Sequence, residues 1–268
     1  MRIDHDVHVH TFLSACSSDP LAEPKAILKQ AEECGIKLIG FADHLWDPAC
    51  PGAMAWYVPQ NPAHVAQIRK QMPEETGVRV LFGAESEYCG SGKVGISQAT
   101  VDTLDFVLLP MSHFHMRGFV FPPELEDPAG IGALMVERFQ ELIALGLATG
   151  VAHPFLPCGH TEKTDDILAS ISDDQFQQCF RAAAQAGVSI EITTGFFPSL
   201  RGKGPQPGWQ DDAFMRMLAL ARDCGCPFHF ASDSHSLAGI GSVLGLAPFV
   251  DELGLTEDHI HPRFRSDS

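Results

Sequence analysis

Basic residues are scarce in this 268-residue chain: 18 Lys and Arg stand against 34 Asp and Glu, a formal charge of −16 at pH 7. Nucleic-acid backbones are gripped mainly through Lys and Arg, so a long nucleic-acid partner is not expected. That exclusion stops short of small anions, because acidic groups gathered on bound cations would present local positive charge. Long hydrophobic runs are missing too. The longest are broken by Asp, His or Gly before the roughly 18 apolar residues of a membrane span, so no membrane partner is expected. Met1 to Asp6 alternate charged and apolar residues rather than leading from a basic stretch into a hydrophobic one. No secretory leader is read there, and the chain is expected to be soluble and cytoplasmic. The 8 cysteines lack the density of a secreted disulfide scaffold and are expected to be mostly free core thiols. Cys224 and Cys226 are spaced CxC with no second pair to complete a zinc ribbon.

Apolar residues make up 45% of the chain and recur in seven short runs, at about 3–9, 36–42, 78–84, 105–111, 148–153, 188–193 and 227–232. Being continuous and partly β-branched or aromatic, they read as buried parallel strands. Helical patterns alternate with them: Glu23 to Cys34, Pro62 to Met72, Ser97 to Leu104, Gly130 to Leu145, Ser172 to Ala186, Asp211 to Cys224, and about Ala238 to Leu253. Asp211 is placed as an N-cap, and Gly35, Gly146, Gly187 and Gly225 follow the last apolar turns as C-terminal glycines do. The alternation predicts an α/β chain folded as one parallel (β/α) barrel, a fold of roughly 250 residues. Residues 1–258 are assigned to it, with 259–268 as a polar tail open to disorder. Two Pro- and aromatic-rich insertions, Trp46–Asn61 and Arg117–Asp127, read as candidate specificity loops or as ordinary surface connections, and 202–208 forms a third irregular loop.

Nearly every run closes on His or a carboxylate: His8 and His10, Asp43 and His44, Glu85 and Glu87, His113 and His115, His153, Glu191, Asp233 and His235. A parallel barrel gathers the carboxyl ends of its strands around one mouth, so these residues should converge. His8 and His10, two apart on a strand, point to one face, as do Glu85 and Glu87. Mixed imidazole and carboxylate donors suit Zn²⁺, Mn²⁺ or Fe²⁺. The pattern predicts a polynuclear metal centre.

The order of motifs His8-Val9-His10-Thr11, Ala42-Asp43-His44, Gly83-Ala84-Glu85, Ser112-His113, Ala152-His153-Pro154, Glu191-Ile192-Thr193 and Ser232-Asp233-Ser234-His235 resembles the polymerase and histidinol phosphatase (PHP) family over residues 1 to about 240. The resemblance implies a distorted, TIM-like (β/α)7 barrel carrying two or three divalent ions. It implies that His8, His10, Glu85 and Asp233 hold one metal, that Glu85 bridges to a second completed by His113 and His153, and that His44 and His235 belong to a third. Asp43 would orient a ligand imidazole. Cys16 stands where many members carry a His or an acidic residue; it reads either as a thiolate ligand or as an inert core thiol. His115 reads as an alternative to His113 or as a substrate contact. Glu191 falls where relatives carry an EIN-like motif, here without the Asn, and reads as a carboxylate of the site floor or a structural ion pair.

Such a centre implies hydrolysis of a phosphate ester by metal-bound hydroxide with no covalent enzyme intermediate. Asp233, His235 and His115 are the catalytic candidates, either histidine serving to protonate the leaving oxygen. Arg117, His160, Lys163, Arg201 and Lys203 lie just past strand ends and could meet phosphate, or else remain solvated surface groups. A small-molecule phosphomonoesterase of the histidinol-phosphatase branch is the leading reading, since the barrel stands alone without a polymerase module. A nucleotide or oligonucleotide phosphodiester hydrolase is the alternative, and a non-catalytic metal-binding module the third. An amidohydrolase also starts with HxH, but it has eight strands and a bridging lysine that this chain does not match.

Overall fold

The computed structural model describes residues 1–197 and 211–266. Its strands are β1 (His5–Val9), β2 (Leu38–Phe41), β3 (His44–Leu45), β4 (Arg79–Ser86), β5 (Tyr88–Gly90), β6 (Lys93–Val94), β7 (Phe106–Pro110), β8 (Gly150–Ala152), β9 (Ser189–Thr193) and β10 (Phe228–Ala231). Seven of them run in parallel in the order β1-β2-β4-β7-β8-β9-β10, with β3 continuing alongside the end of β4 and β5–β6 forming a small hairpin. These seven are the seven apolar runs. β1, β2, β7, β8, β9 and β10 are buried along their whole length, which is why they read as continuous hydrophobic stretches rather than alternating ones.

The sheet comes back on itself between β10 and β1, but no regular ladder joins that pair. A single bridge links Val9 to Ser234, and His10 N–H donates to the Ser234 carbonyl at 3.0 Å. Two buried side chains replace the missing rungs. His5 Nε2 accepts from Phe230 N–H at 3.0 Å, and Asp6 Oδ1 accepts from Ser232 N–H at 2.9 Å. The barrel is therefore nearly closed, with one irregular seam.

The helices are α1 (Pro24–Cys34), α2 (Pro62–Val65), α3 (Gln98–Val101), α4 (Pro128–Ala144), α5 (Thr164–Ser170), α6 (Asp173–Ala186), α7 (Ala213–Asp223) and α8 (Ala247–Glu252). The cap of α7 is Asp212, one residue beyond the predicted Asp211; its carboxylate accepts from Phe214 and Met215 N–H. The expected helix over 238–253 breaks into 3₁₀ turns before α8, because Gly241 takes φ 93°, a left-handed backbone that ends a helix. The pattern from Pro62 to Met72 likewise resolves into α2 and a 3₁₀ turn over Ile68–Gln71. α5 was not anticipated: it buries only Ile167 and Leu168, too few to set up a period. Among the described residues no helix is long and apolar enough to cross a membrane.

The floor of the barrel is packed by Phe106, whose ring lies against two strand glycines. A Cβ on Gly83 would stand 2.5 Å from its ring, and one on Gly40 2.8 Å. Beneath it, the segment expected as a polar, disordered tail is docked. Ile260 bridges to Phe228, His261 N–H donates to the Phe228 carbonyl at 2.9 Å, and the buried Phe264 ring meets Phe106 at 5.6 Å and His229 at 5.3 Å. Two apolar residues in an otherwise polar stretch were enough to anchor it.

Candidate metal centre

At the carboxyl ends of the strands the predicted residues converge. Glu85 is central. Its Oε2 lies 3.3 Å from His8 Nε2, 3.4 Å from His10 Nε2 and 3.2 Å from His44 Nδ1, while Oε1 lies 3.2 Å from His153 Nε2 and 3.6 Å from His113 Nε2. One carboxylate thus faces two sets of imidazoles, one with each oxygen. Asp233 Oδ1 closes the first set, 3.5 Å from His8 Nε2 and 3.3 Å from His10 Nε2.

Three groups of donor atoms each fall within 4.8 Å of one another: His8, His10 and Asp233; His113, His153 and Cys158; and His10, Cys16, His44 and His235. Their spacing fits an ion. His8 Nε2 faces His10 Nε2 at 3.2 Å, and His113 Nε2 faces His153 Nε2 at 3.2 Å. Two nitrogens bound at about 2.0–2.1 Å to one tetrahedral metal stand roughly 3.3 Å apart. His44 Nδ1, buried 3.2 Å from Glu85 Oε2, makes no hydrogen bond.

A further ring of carboxylates fixes the imidazoles. His8 Nδ1–H donates to Glu191 Oε2 at 2.8 Å, and His113 Nδ1–H to Glu87 Oε2 at 2.7 Å, so each ring carries its proton on the far side and turns Nε2 toward Glu85. Glu191 also accepts His153 N–H at 3.0 Å and contacts His229 at 3.3 Å, and Tyr57 O–H donates to Glu87 at 2.8 Å. Asp43, expected to orient an imidazole, spends its bonds on Thr11 instead: both oxygens accept at 2.5 Å, and His10 Nδ1 stays 3.9 Å away. Tyr57, Cys158 and His229 were not anticipated. The first two lie in loops, and His229 sits inside β10 rather than at its end, so the strand termini do not reveal them.

The electrostatics ask for positive charge. Burial alone would raise the Glu85 pKa, but His44 and His8 outweigh it and hold the carboxyl well below its usual range. Glu191, buried against His8 and His229, is likewise brought down to about 2. Burial would depress His113, yet the Glu87 carboxylate lifts it to about 9. Cys16 is half-buried; the His10, His235 and His44 rings overcome its burial and bring the thiol down to about 3. The Cys158 thiol is pushed up, by burial and then by the Asp233 and Glu85 charges.

A cavity of about 460 Å³ opens over the cluster, lined by Cys16, His44, His113, His153, Cys158, Asp233 and His235 and walled by Met54, Trp56, Tyr57, Met116 and His115. The insertion over 46–61 therefore reaches the site. The one over 117–127 does not, and neither do the cations near it. Arg117 pairs with Glu126 at 2.8 Å, Lys163 with the same carboxylate at 3.3 Å, and the buried His160 lies 3.5 Å from Arg117. Glu126 offers these cations an opposite charge nearer than the cavity does. Arg201, Lys203 and the loop over 202–208 lie outside the described residues. His115 is exposed at the rim, its ring 5.4 Å from that of His113, which alone of the two enters the cluster.

A parallel barrel with imidazoles and carboxylates massed at its mouth has, at one place, side-chain clusters that could bind metal. The profile of the PHP domain matches residues 6–195, and the chain belongs to that family. It is 25% identical over 258 residues to a probable phosphatase of Syntrophotalea carbinolica, covering 92% of this chain and 90% of that one. It is 26% identical to a probable phosphatase of Aeromonas salmonicida, over 98% and 91% of the two chains. Among solved structures it resembles the histidinol phosphate phosphatase of Lactococcus lactis, crystallised with zinc, L-histidinol and phosphate, with a TM-score of 0.59 at 14% identity over 96% and 95% of the chains. A metal-dependent tyrosine phosphatase, from crystal structures of the Bacillus subtilis and Streptococcus pneumoniae proteins, aligns with a TM-score of 0.50 at 16% identity over 96% and 89%. At these identities the structures speak for the shared barrel.

Proposed function

We propose that the protein is a metal-dependent phosphoesterase that hydrolyses a small phosphate monoester. The observation that carries the reading is Glu85, whose two oxygens face two imidazole sets. His8, His10, Glu85 and Asp233 would hold one ion, Glu85, His113 and His153 a second, and His44, His235 and Cys16 a third, with zinc, manganese or iron as the candidates. When bound, such ions supply charge to offset that of a phosphoryl group and to activate water. The phosphatase names of the relatives, and the zinc and phosphate of the Lactococcus lactis structure, support the assignment. The eight unpaired cysteines suit a reducing cytoplasm.

The chain's own residues do the rest. Glu191 and Glu87 hold His8 and His113 in one tautomer and one orientation. Met54, Trp56 and Met116 exclude water from one wall and offer an apolar surface to the organic part of the substrate. Among the described residues, the cavity lining is imidazole, thiol, carboxylate and apolar side chains. His115 makes no hydrogen bond to a carboxylate, and burial and the neighbouring His113 lower its pKa. Exposed at the rim of the cavity, it is placed to exchange a proton with water or with the leaving oxygen.

The experiment pairs metal analysis with phosphate release from sugar phosphates, amino-alcohol phosphates, aryl phosphates, nucleotides and short oligonucleotides. Two or three bound ions with release from small monoesters is the expected outcome. Release from nucleotides or oligonucleotides alone would transfer the assignment to the phosphodiesterase reading, and bound metal without turnover would leave a binding module. Glu85→Gln should lose both metal and hydrolysis; full metal retention would remove the bridging role.

A further inference from the structure

The second cluster holds a donor that the motif resemblance does not supply. Of the eight cysteines, Cys16 and Cys158 line the cavity; Cys179 and Cys226, by contrast, are buried among the helices, donating to the Val136 and Phe180 carbonyls. We propose that Cys158 is a thiolate ligand of the metal held by His113, His153 and Glu85, a proposal that rests on the metal-centre reading above.

The geometry builds this arrangement from two directions. The Cys158 sulfur and the ring nitrogens of His113 and His153 lie within 4.8 Å of one another. The loop that carries the cysteine is docked onto the strand end that carries His113. Cys158 N–H donates to the Ser112 carbonyl at 3.2 Å, and the next residue, Gly159, takes φ +99° where an added Cβ would stand 2.7 Å from His115 N. Only glycine permits so close an approach, and it brings the 158–159 segment against 112–115. At the other end of the loop, His153 and Phe155 both adopt left-handed backbone, with φ of 27° and 59°, an uncommon state for residues with side chains. They turn the chain sharply enough that the sulfur, five positions after His153, comes back beside its ring. Two imidazoles, one bridging carboxylate and one sulfur make four donors, the number and kinds that a tetrahedral zinc site takes. Binding would release the thiol proton to solvent as the metal–sulfur bond forms. With Cys16 in the neighbouring cluster, two adjoining positions would each carry one sulfur, which favours zinc over manganese.

Cobalt(II) is the probe, read on the full chain with and without Cys158→Ser, Cys16→Ser and both together. The wild type should show a near-ultraviolet sulfur-to-cobalt charge-transfer band. Cys158→Ser should weaken it at unchanged protein fold, and the double variant should abolish it. In parallel, alkylation of Cys158 in the wild type, followed by mass spectrometry, should slow by about tenfold or more once zinc is bound. This second measurement decides the matter even where Cys158→Ser fails to fold. A Cys158→Ser spectrum that superimposes on the wild type at equal cobalt content, or alkylation indifferent to zinc, overturns the ligand while leaving the metal centre standing. No cobalt uptake by the wild type overturns the metal centre itself, and Cys158 with it.

Discussion

Glu191 was legible only as a carboxylate of uncertain use, because a sequence shows that a strand ends on Glu but not which ring that Glu meets. In the fold it receives the His8 Nδ1 proton and stands between His8 and His229. Partners that orient metal-ligating histidines typically contribute 10–100-fold to metal affinity. Glu191→Gln should therefore weaken metal binding by about that factor while leaving the barrel folded; isothermal titration that finds wild-type affinity would reduce Glu191 to a structural pair. His115 is a second case. The sequence favours His113 over His115 because it follows Ser112 as the motif does; in the fold His113 joins the cluster and His115 lies exposed at the rim. His115→Asn should keep full metal content and lower kcat, loss of a proton-transfer group costing about 10²–10⁴-fold. A variant that loses metal in proportion to activity would make His115 a ligand instead. The cationic candidates show the opposite limit, since Arg117 and Lys163 were legible as cations past strand ends but not as partners of Glu126.

At the scale of elements, six of the seven barrel strands were legible because burial on both faces leaves an apolar signature, and β4, half-exposed at its start, through its apolar Val80–Phe82 run. Short helices such as α2, α3 and α5 were not, or only in outline, since one turn of chain holds too few apolar positions to display a period. The hairpin β5–β6 escaped for the same reason. What the strand pattern hides is how the strands fit one another at the floor. Gly83 and Gly40 leave room for Phe106, a packing role that the motif containing Gly83 does not reveal. Gly83→Ala would push a methyl group into the Phe106 ring, and overpacking of this kind costs about 1–3 kcal/mol. The urea midpoint should fall accordingly, with part of the loss recovered in the double variant with Phe106→Leu. An unchanged midpoint would mean that the ring has space to move.

For the molecule as a whole, residues 259–266 belong to the fold. Reading 259–268 as a loose tail overlooked that Ile260 and Phe264 suffice to cover the barrel floor. The docking leaves a titration signature at His261, whose pKa is lowered to about 4, first by burial and then by His229 and Arg263. The unfolded chain takes up this proton near the ordinary 6.5, before the folded chain does. Stability from this residue is therefore complete above pH 6.5 and is lost as pH falls toward 4. His261→Asn, which keeps an acceptor for Arg263 N–H, should remove that slope; the wild type should lose stability relative to the variant across the window in urea titrations at stepped pH. Parallel curves would show that the tail does not bury His261 as described.

The seam between β1 and β10 gives the clusters a second meaning. His8 and His10 stand on one side of it, Asp233 and His235 on the other, and regular backbone rungs are lacking between them. An ion shared across that line would act as a staple, so chelation and unfolding would become one event rather than two. The Phe230 and Ser232 amides, held by His5 and Asp6 in place of a neighbouring strand, would be the first of the barrel to exchange with solvent when the staple is drawn.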